Sequence, residues 1–360
     1  QRTWESRYEN YNDVQGQGWT YDALGRVLTE VDAQGALQWR HAYDGNGNRT
    51  ASTDALGYTT TRAYDALDRL RTSTDPLGAA TTYTYDARDN LLRVTDPRGV
   101  LTQYTYDGLD NLTQESSPDS GTSTFGYDAA GNLKTRTWAN GKAVAYTSDA
   151  LNRVTLESYG GGVQVAYGFD GGVNGIGRLT ASTDNSGGNT WAYDVWGRVV
   201  QAQRTTGSKT LSTGYGYDSA GRLAAMSYPS GRNLSYGYDS VGRINAVGLN
   251  GQSLVGSITW QPSGAMRSWT QGNGRAVTRS FDRNGRLTAH NFDSGTRTLA
   301  YDAKSRIAQV TEPWGNRLFG YDAADRLTAE QTWSGTWSYG WDGNGNGNRL
   351  SQTTPFGSTS

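Results

Sequence analysis

The chain has 360 residues, 35% of them apolar, with 48 Gly, 23 Tyr and 12 Trp and a formal net charge of -1. So many aromatics at so little net charge exclude a disordered chain, and the charge balance leaves no electrostatic footprint for nucleic acid or an anionic membrane. The lack of cysteine removes disulfides, thiol nucleophiles and Cys-type zinc sites, and no apolar run reaches the 18 residues of a membrane-spanning helix.

The opening, Gln1 to Asn10, has neither an initiator Met nor the apolar core of a signal peptide, as in a piece of a longer chain. Residues 1–18 are expected to form partial leading strands. From there an aromatic-Asp pair recurs: Tyr21-Asp22, Tyr43-Asp44, Tyr64-Asp65, Tyr85-Asp86, Tyr106-Asp107 and Tyr127-Asp128. A degenerate Ser148-Asp149 follows, then Phe169-Asp170, Tyr193-Asp194, Tyr217-Asp218, Tyr238-Asp239 and the degenerate Trp260-Gln261. The series ends with Phe281-Asp282, Tyr301-Asp302, Tyr321-Asp322 and Trp341-Asp342. The spacing is 21 residues for most of the chain, 24 twice near the middle and 20 near the end. Self-similarity at a fixed period overrides the two or three domains that the length would suggest, because repeat arrays grow without adding separate cores. About sixteen units of 20–24 residues are therefore expected over residues 19–350, with 351–360 beginning a truncated further repeat.

Each pair is followed by two variable residues, then Gly, Asp or Asn, then Arg or Asn, then an aliphatic residue. Asp22-Ala-Leu-Gly25-Arg26-Val27 and Asp218-Ser-Ala-Gly221-Arg222-Leu223 are examples. Gly, Asn and Asp are the residues that best tolerate positive φ, and the Asp of the pair can cap the turn with its side chain. Half a repeat later a second turn signal appears in Asp75-Pro76-Leu77-Gly78, Asp96-Pro97-Arg98-Gly99, Tyr228-Pro229-Ser230-Gly231 and Glu312-Pro313-Trp314-Gly315. Pro second and Gly fourth match a type I turn, so all four are expected to share one layout. Each unit thus reads as two strands and two turns. In Leu101 to Tyr106 the alternation puts Tyr104 and Tyr106 on one face and Thr105 on the other. Equivalent residues of stacked repeats then form ladders of aromatics and of Arg and Asp. The Tyr and Asp of each pair are read as a packing ring and a turn-capping carboxylate.

The unit from Phe169 to Arg178 carries three extra residues, read as a lengthened turn, with a ligand loop as the sharper alternative. His41 and His290 lie in repeat strands with no motif around them, and no Gly-x-Ser-x-Gly elbow exists. Asp44-Gly-Asn46-Gly-Asn48 and Asp342-Gly-Asn344-Gly-Asn346 open like calcium loops, but Ala55 and Thr353 stand where the closing Glu is needed. Turn chemistry is the better reading. No position is assigned a catalytic, cofactor or metal role. The tryptophans, among them Trp138, Trp191, Trp196, Trp260, Trp269, Trp314, Trp333, Trp337 and Trp341, leave open stacking platforms for a sugar or a protein. At the end, Thr354-Pro355-Phe356-Gly357 is expected to be a half-repeat turn with no returning strand.

The Tyr-Asp-x-x-Gly-Arg-Leu unit, as in Tyr217 to Leu223, and the Asp-Pro-x-Gly half-turn, as in Asp75 to Gly78, resemble the Rhs/YD-repeat superfamily over nearly the whole chain. That superfamily includes bacterial Rhs polymorphic toxins, the B and C components of insecticidal toxin complexes, wall-associated YD proteins and teneurins. The resemblance implies an all-β fold of antiparallel hairpins in one continuous spiralling sheet, part or all of a hollow shell. About 32 strands at ~4.8 Å make a ribbon on the order of 150 Å long, compatible with such winding. It also implies a non-catalytic segment of a secreted or surface-exposed bacterial protein that encapsulates or displays a C-terminal toxin. The partner would then be a toxin domain or unfolded cargo of the same parent chain. The autoproteolysis segment usual in such shells is not found before Ser360. The alternative function is a cell-surface glycan- or protein-binding module that uses exposed aromatics.

Overall fold

The computed structural model describes residues 2–7, 15–292, 295–343 and 347–359. Among these are 34 strands and no helix. The strands form one antiparallel sheet in which chain neighbours pair, as Leu112–Ser117 does with Leu101–Tyr106 and with Gly121–Tyr127. The alternation holds residue by residue: Tyr104 and Tyr106 are half-buried, while Gln103 and Thr105 are exposed. β-Branched and aromatic residues suit such a pleated, one-sided surface.

The turns explain both the composition and the period. In the main turn the tyrosine ends a strand and the aspartate opens a three-residue loop. At the first repeat the Gly25 amide donates to the Asp22 carbonyl at 3.1 Å, and the Asp22 amide donates to the Arg26 carbonyl at 3.0 Å. Such a loop needs a left-handed residue at its third position. Gly25 holds it at φ +79, and Asp68, Asp89, Asp110 and Asn152 hold the same place at φ between 61 and 70. The expected positive-φ slot is therefore real, and even Ser305 fills it at φ 66.

The half-repeat turns do not share one layout, contrary to the expectation from Pro and Gly. Asp75, Asp96 and Tyr228 open three-residue loops, with Gly78, Gly99 and Gly231 left-handed. Glu312 instead pairs directly with Gly315 across a two-residue loop. Phe292 with Gly295 and Thr332 with Gly335 pair in the same way. One loop residue fewer per unit is the origin of the 20-residue spacing near the end. The two 24-residue spacings arise differently. One comes from the long turn after Phe169, which closes from the Asp170 amide to the Arg178 carbonyl at 3.0 Å and is four residues longer than a regular turn, less one residue in the two-residue half-turn between Asp184 and Gly187. The other comes from long strands, Val199–Thr206 and Lys209–Tyr217. A second correction concerns the last turn, where a strand does return: Gly357–Thr359 pairs with Arg349–Thr354.

The strands fall into two compact units, each built of the same hairpins. The first comprises residues 1–101, 259–269 and 276–360, and the second 102–258 and 270–275. Buried apolar side chains are few among the described residues: Val277 and Val310 in the first unit, Val144 and Ile258 in the second. Cross-strand pairs and turn bonds, rather than a thick core, must therefore hold each unit together.

Candidate functional site: the clamp between repeats

The recurrent polar constellation of this protein is the junction between successive hairpins. Asp22 Oδ1 accepts the amides of Leu24 and Arg26, both at 2.9 Å, and Oδ2 accepts Arg26 Nε at 2.7 Å. The guanidinium so fixed reaches into the following repeat. It lies 4.7 Å from the centre of the Tyr43 ring, and its Nη1 donates to the Asp44 carbonyl at 3.1 Å. Tyr43 closes the circuit backwards, its hydroxyl donating to the Val27 carbonyl at 2.8 Å. Asp, Arg and the next Tyr thus join two hairpins through one charge-assisted bond set and one ring face.

The same circuit recurs down the chain. Arg69, Arg198, Arg222, Arg286 and Arg306 lie 4.3–4.8 Å from the rings of Tyr85, Tyr217, Tyr238, Tyr301 and Tyr321. Those five phenols donate to the carbonyls of Leu70, Val199, Leu223, Leu287 and Ile307. Tyr64, Tyr127 and Tyr193 donate likewise to Arg49, Leu112 and Leu179. Asp65, Asp86, Asp107, Asp128, Asp194, Asp218, Asp239, Asp302 and Asp322 each accept two turn amides. Where Asn replaces Arg, as at Asn132, its amide bonds Asp128 and then Asn152 of the next turn. The degenerate pairs keep the architecture. Asp149 still caps Leu151 and Arg153, and Gln261 keeps the turn without a carboxylate. At the last pair Trp341 Nε1 donates to the Leu327 carbonyl at 2.7 Å, an indole in place of a phenol.

Electrostatics follow from this bonding. The Arg26 amide, with the Arg26 guanidinium and the Leu24 amide, holds the Asp22 carboxyl below its ordinary value against the opposing effect of burial. Asp218 is lowered in the same way, first by the Arg222 amide. At Asp149 the Arg153 guanidinium leads, followed by its amide. These carboxylates are tuned to stay ionised, as capping groups should be and as proton donors should not.

The two histidines are packed. His41 is buried, stacked on Trp39, with Nε2 at 3.0 Å from Glu30 Oε1 and Nδ1 at 3.3 Å from Ser52 Oγ. Acid, imidazole and hydroxyl in a row invite comparison with a hydrolytic triad. Ser52, however, is only 6% exposed, and its Oγ also accepts Arg62 Nη1, so no carbonyl carbon can approach it. His290 sits between Trp269 and Phe292, its pKa lowered by burial and then by Arg279 and Arg297. Sequence reading missed these groupings, although a signal existed. Glu30, His41 and Ser52 are each 11 residues apart, about half a repeat, and half-repeat neighbours lie side by side. Among the described residues no cluster of three or more His, Asp or Glu is placed to hold a metal ion. Asp44 spends Oδ1 on the amides of Asn46 and Asn48, while Asn344 and Asn346 lie outside the described residues. The long turn behaves as a turn: Arg178 bonds the carbonyls of Asn174 and Ile176 and lies over Tyr193.

A second kind of junction occurs within the first unit, between residues some 250 positions apart. Asn284 Nδ2 donates to Asp32 Oδ2 at 2.9 Å, and the Ala33 amide donates to Asn284 Oδ1 at 3.1 Å. One repeat along, Lys304 Nζ lies 2.6 Å from Asp54 Oδ2 and 2.5 Å from Asp325 Oδ1, with the Tyr58 ring 5.6 Å away. Half-repeat turns near residues 32–58 thus abut main turns near residues 282–304.

Comparison with known proteins agrees with this anatomy. A model of the RHS repeat matches residues 21–59, 43–80, 64–101, 85–122 and 106–143, and a model of the teneurin YD-shell matches residues 173–342. No curated protein sequence matches the chain. Similar solved structures include TcdB2-TccC3 (TM-score 0.61, 14% identity, 99% of this chain and 27% of that one). Another is the Tc holotoxin pore of Photorhabdus luminescens with a substituted TccC3 (TM-score 0.60, 14% identity, 98% and 26%). The chain shares their fold and spans about a quarter of their length.

Proposed function

Because the chain belongs to the Rhs/YD-repeat superfamily, we propose that it is a non-catalytic wall segment of an exported bacterial shell that encloses or displays a toxin cargo of its parent chain. The observation that carries this reading is the recurrence of one clamp. Tyr, Asp and Arg are spent on joining hairpins at repeat after repeat, in bonds that leave them no part in catalysis. The half-buried rings Tyr104, Phe125, Tyr146, Tyr167, Trp191 and Tyr215 share one face with the clamp tyrosines in the second unit. Such a face offers an unfolded cargo many weak aromatic and polar contacts without interdigitated packing. Secretion or surface exposure follows from this role.

Negative-stain microscopy of the parent protein tests the reading. A hollow body is expected, and a compact filled particle would overturn enclosure. The second reading, recognition of a cell-surface glycan or protein, is supported by Trp196, Trp314 and Trp333, whose rings are exposed at turn tips. A glycan array probed with the chain and with all three changed to Ala would decide it, since binding must be present and then lost.

A further inference from the structure

On the half-buried face of Ala276–Phe281, Leu287–Phe292 and Gly295–Tyr301, three nitrogen-bearing side chains stand in register. Arg279 pairs with His290, and His290 with Arg297. Cross-strand partners set their side chains about 5 Å apart, where like charges repel. Arg297 is turned toward Glu312, its Nε donating to Oε1 at 2.6 Å. Arg279 has neither a hydrogen bond nor a carboxylate partner among the described residues. Its guanidinium lies 4.8 Å from the centre of the Trp269 ring. Arg279 Nε and His290 Nδ1 are both withdrawn from water, and both lack a hydrogen-bond partner. Buried donors without acceptors are rare in folded proteins, and each costs stability until an acceptor arrives.

The local charge balance says what is missing. Farther along the same face, Arg317 stands opposite Val310. Glu312 serves Arg297 and also lies 3.8 Å from Arg317, which has Glu330 at 3.6 Å. Three guanidiniums thus meet two carboxylates, and the unmatched charge falls on Arg279 at the end of the row. One negative charge with two acceptor oxygens would match it, whereas a phosphate dianion would overfill it. The rings of Trp269 and Phe292 flank His290 at 6.4 and 6.1 Å between centroids, apolar walls for the stem that bears the acid. In the second unit Arg136 also lies over a tryptophan with Nε unpartnered, but its neighbours in register, Phe125 and Val144, add no second donor. We propose that Arg279 and His290, between Trp269 and Phe292, form a binding site for one carboxylate group, with Arg297 adding to its positive field. All these groups lie within the first unit. The site goes beyond the shell reading and does not depend on enclosure.

Nuclear magnetic resonance of the whole chain tests it, because only two histidines contribute ring signals and His290→Gln identifies those of His290. Benzoate should shift the His290 signals saturably and raise the pKa of that ring, since an anion beside it favours the imidazolium. His41 should not move, and the neutral benzamide should move neither ring. Arg279→Met should need at least about tenfold more benzoate, while Lys142→Met, an equal loss of charge at an exposed site, should bind as wild type does. Arg279→Met gives up no hydrogen bond, and far-UV circular dichroism certifies its fold. Arg279→Lys, which keeps the charge and loses the fork, makes the same comparison if the methionine variant does not fold. A blocked tripeptide with a central glutamate, set against its glutamine counterpart, separates the two sources of the group. Response to benzoate alone supports a free small carboxylate, and response to the peptide supports an acidic side chain of a polypeptide. No response to either, equal response to the neutral amides, or undiminished binding by the Arg279 variant would overturn the proposal. So would inorganic phosphate bound as tightly as the carboxylate, since the site would then be an unselective patch of positive charge.

Discussion

At a single junction the phenol, the guanidinium and the carboxylate do separable work. Asp194 caps Trp196 and Arg198 and holds Arg198 Nε at 2.7 Å, Arg198 covers the Tyr217 ring at 4.3 Å, and the Tyr217 hydroxyl bonds the Val199 carbonyl at 2.8 Å. Tyr217→Phe removes one neutral bond and keeps the ring, an expected cost of about 1 kcal/mol. Arg198→Met loses the charge-assisted bond and the ring contact, about 1–2 kcal/mol. Asp194→Ala loses these anchors and two amide acceptors at once and should cost most of the three. Urea midpoints of the three variants should fall in that order, and an aspartate variant milder than the phenylalanine one would refute the clamp. The cap was legible from residue type and position, because Asp before a Gly-containing loop has one obvious use. The partner of the hydroxyl and the reach of the arginine were not. Both contacts cross to the adjacent repeat, and only the sheet register decides which carbonyl or ring is met there.

One hairpin carries up to two capped turns, and the caps give the array its acid response. In Asp22, Asp149 and Asp218 the folded pKa is lowered from 3.8 by turn amides and guanidinium, so the folded form binds fewer protons than the unfolded chain. Their contribution is complete above pH 3.8 and is lost as pH falls from there through the folded values. Because the same carboxylate recurs in most repeats, many small losses should coincide. Ellipticity followed on acid titration should stay flat down to about pH 4 and then fall steeply. A variant with Asp149 and Asp218 both changed to Asn should be less stable at pH 7 and depend less on pH below 4. Equal acid sensitivity in that variant would place the titrating groups elsewhere. The hairpin and its alternating faces could be read from the sequence because period and turn residues agree. The loop length at Glu312 could not, because a Pro-x-Gly run suits either two or three loop residues, and the strand that closes the turn makes the choice.

At the scale of a whole unit the decisive contacts join residues about 250 apart, and no local pattern announces them. Lys304 fills a tip position that is Leu in one repeat and Asn in another, so its sequence context marks it as solvent-facing. The structure instead leaves its side chain 9% exposed beside Asp54, itself 4% exposed. Burial alone would push the lysine down; the carboxylates of Asp325 and Asp54 outweigh it and raise its pKa. For Asp54 burial acts upward and is outweighed by Lys304 and by the amides of Tyr58 and Leu56. Lys304→Met would therefore strand a buried carboxylate, at a cost of about 2–4 kcal/mol. Asp54→Asn alone should cost less, since its oxygen still caps Leu56 and Tyr58. Combining the two removes both charges, so the double variant should recover about 1–2 kcal/mol relative to the sum of the single changes. Guanidinium unfolding of the four proteins gives the cycle, with the exposed Lys142→Met as control. Coupling near zero would mean that the two ends of the first unit are held by their own hairpins alone. Strong coupling would make this one pair a determinant of how repeats far apart in the chain are held in register.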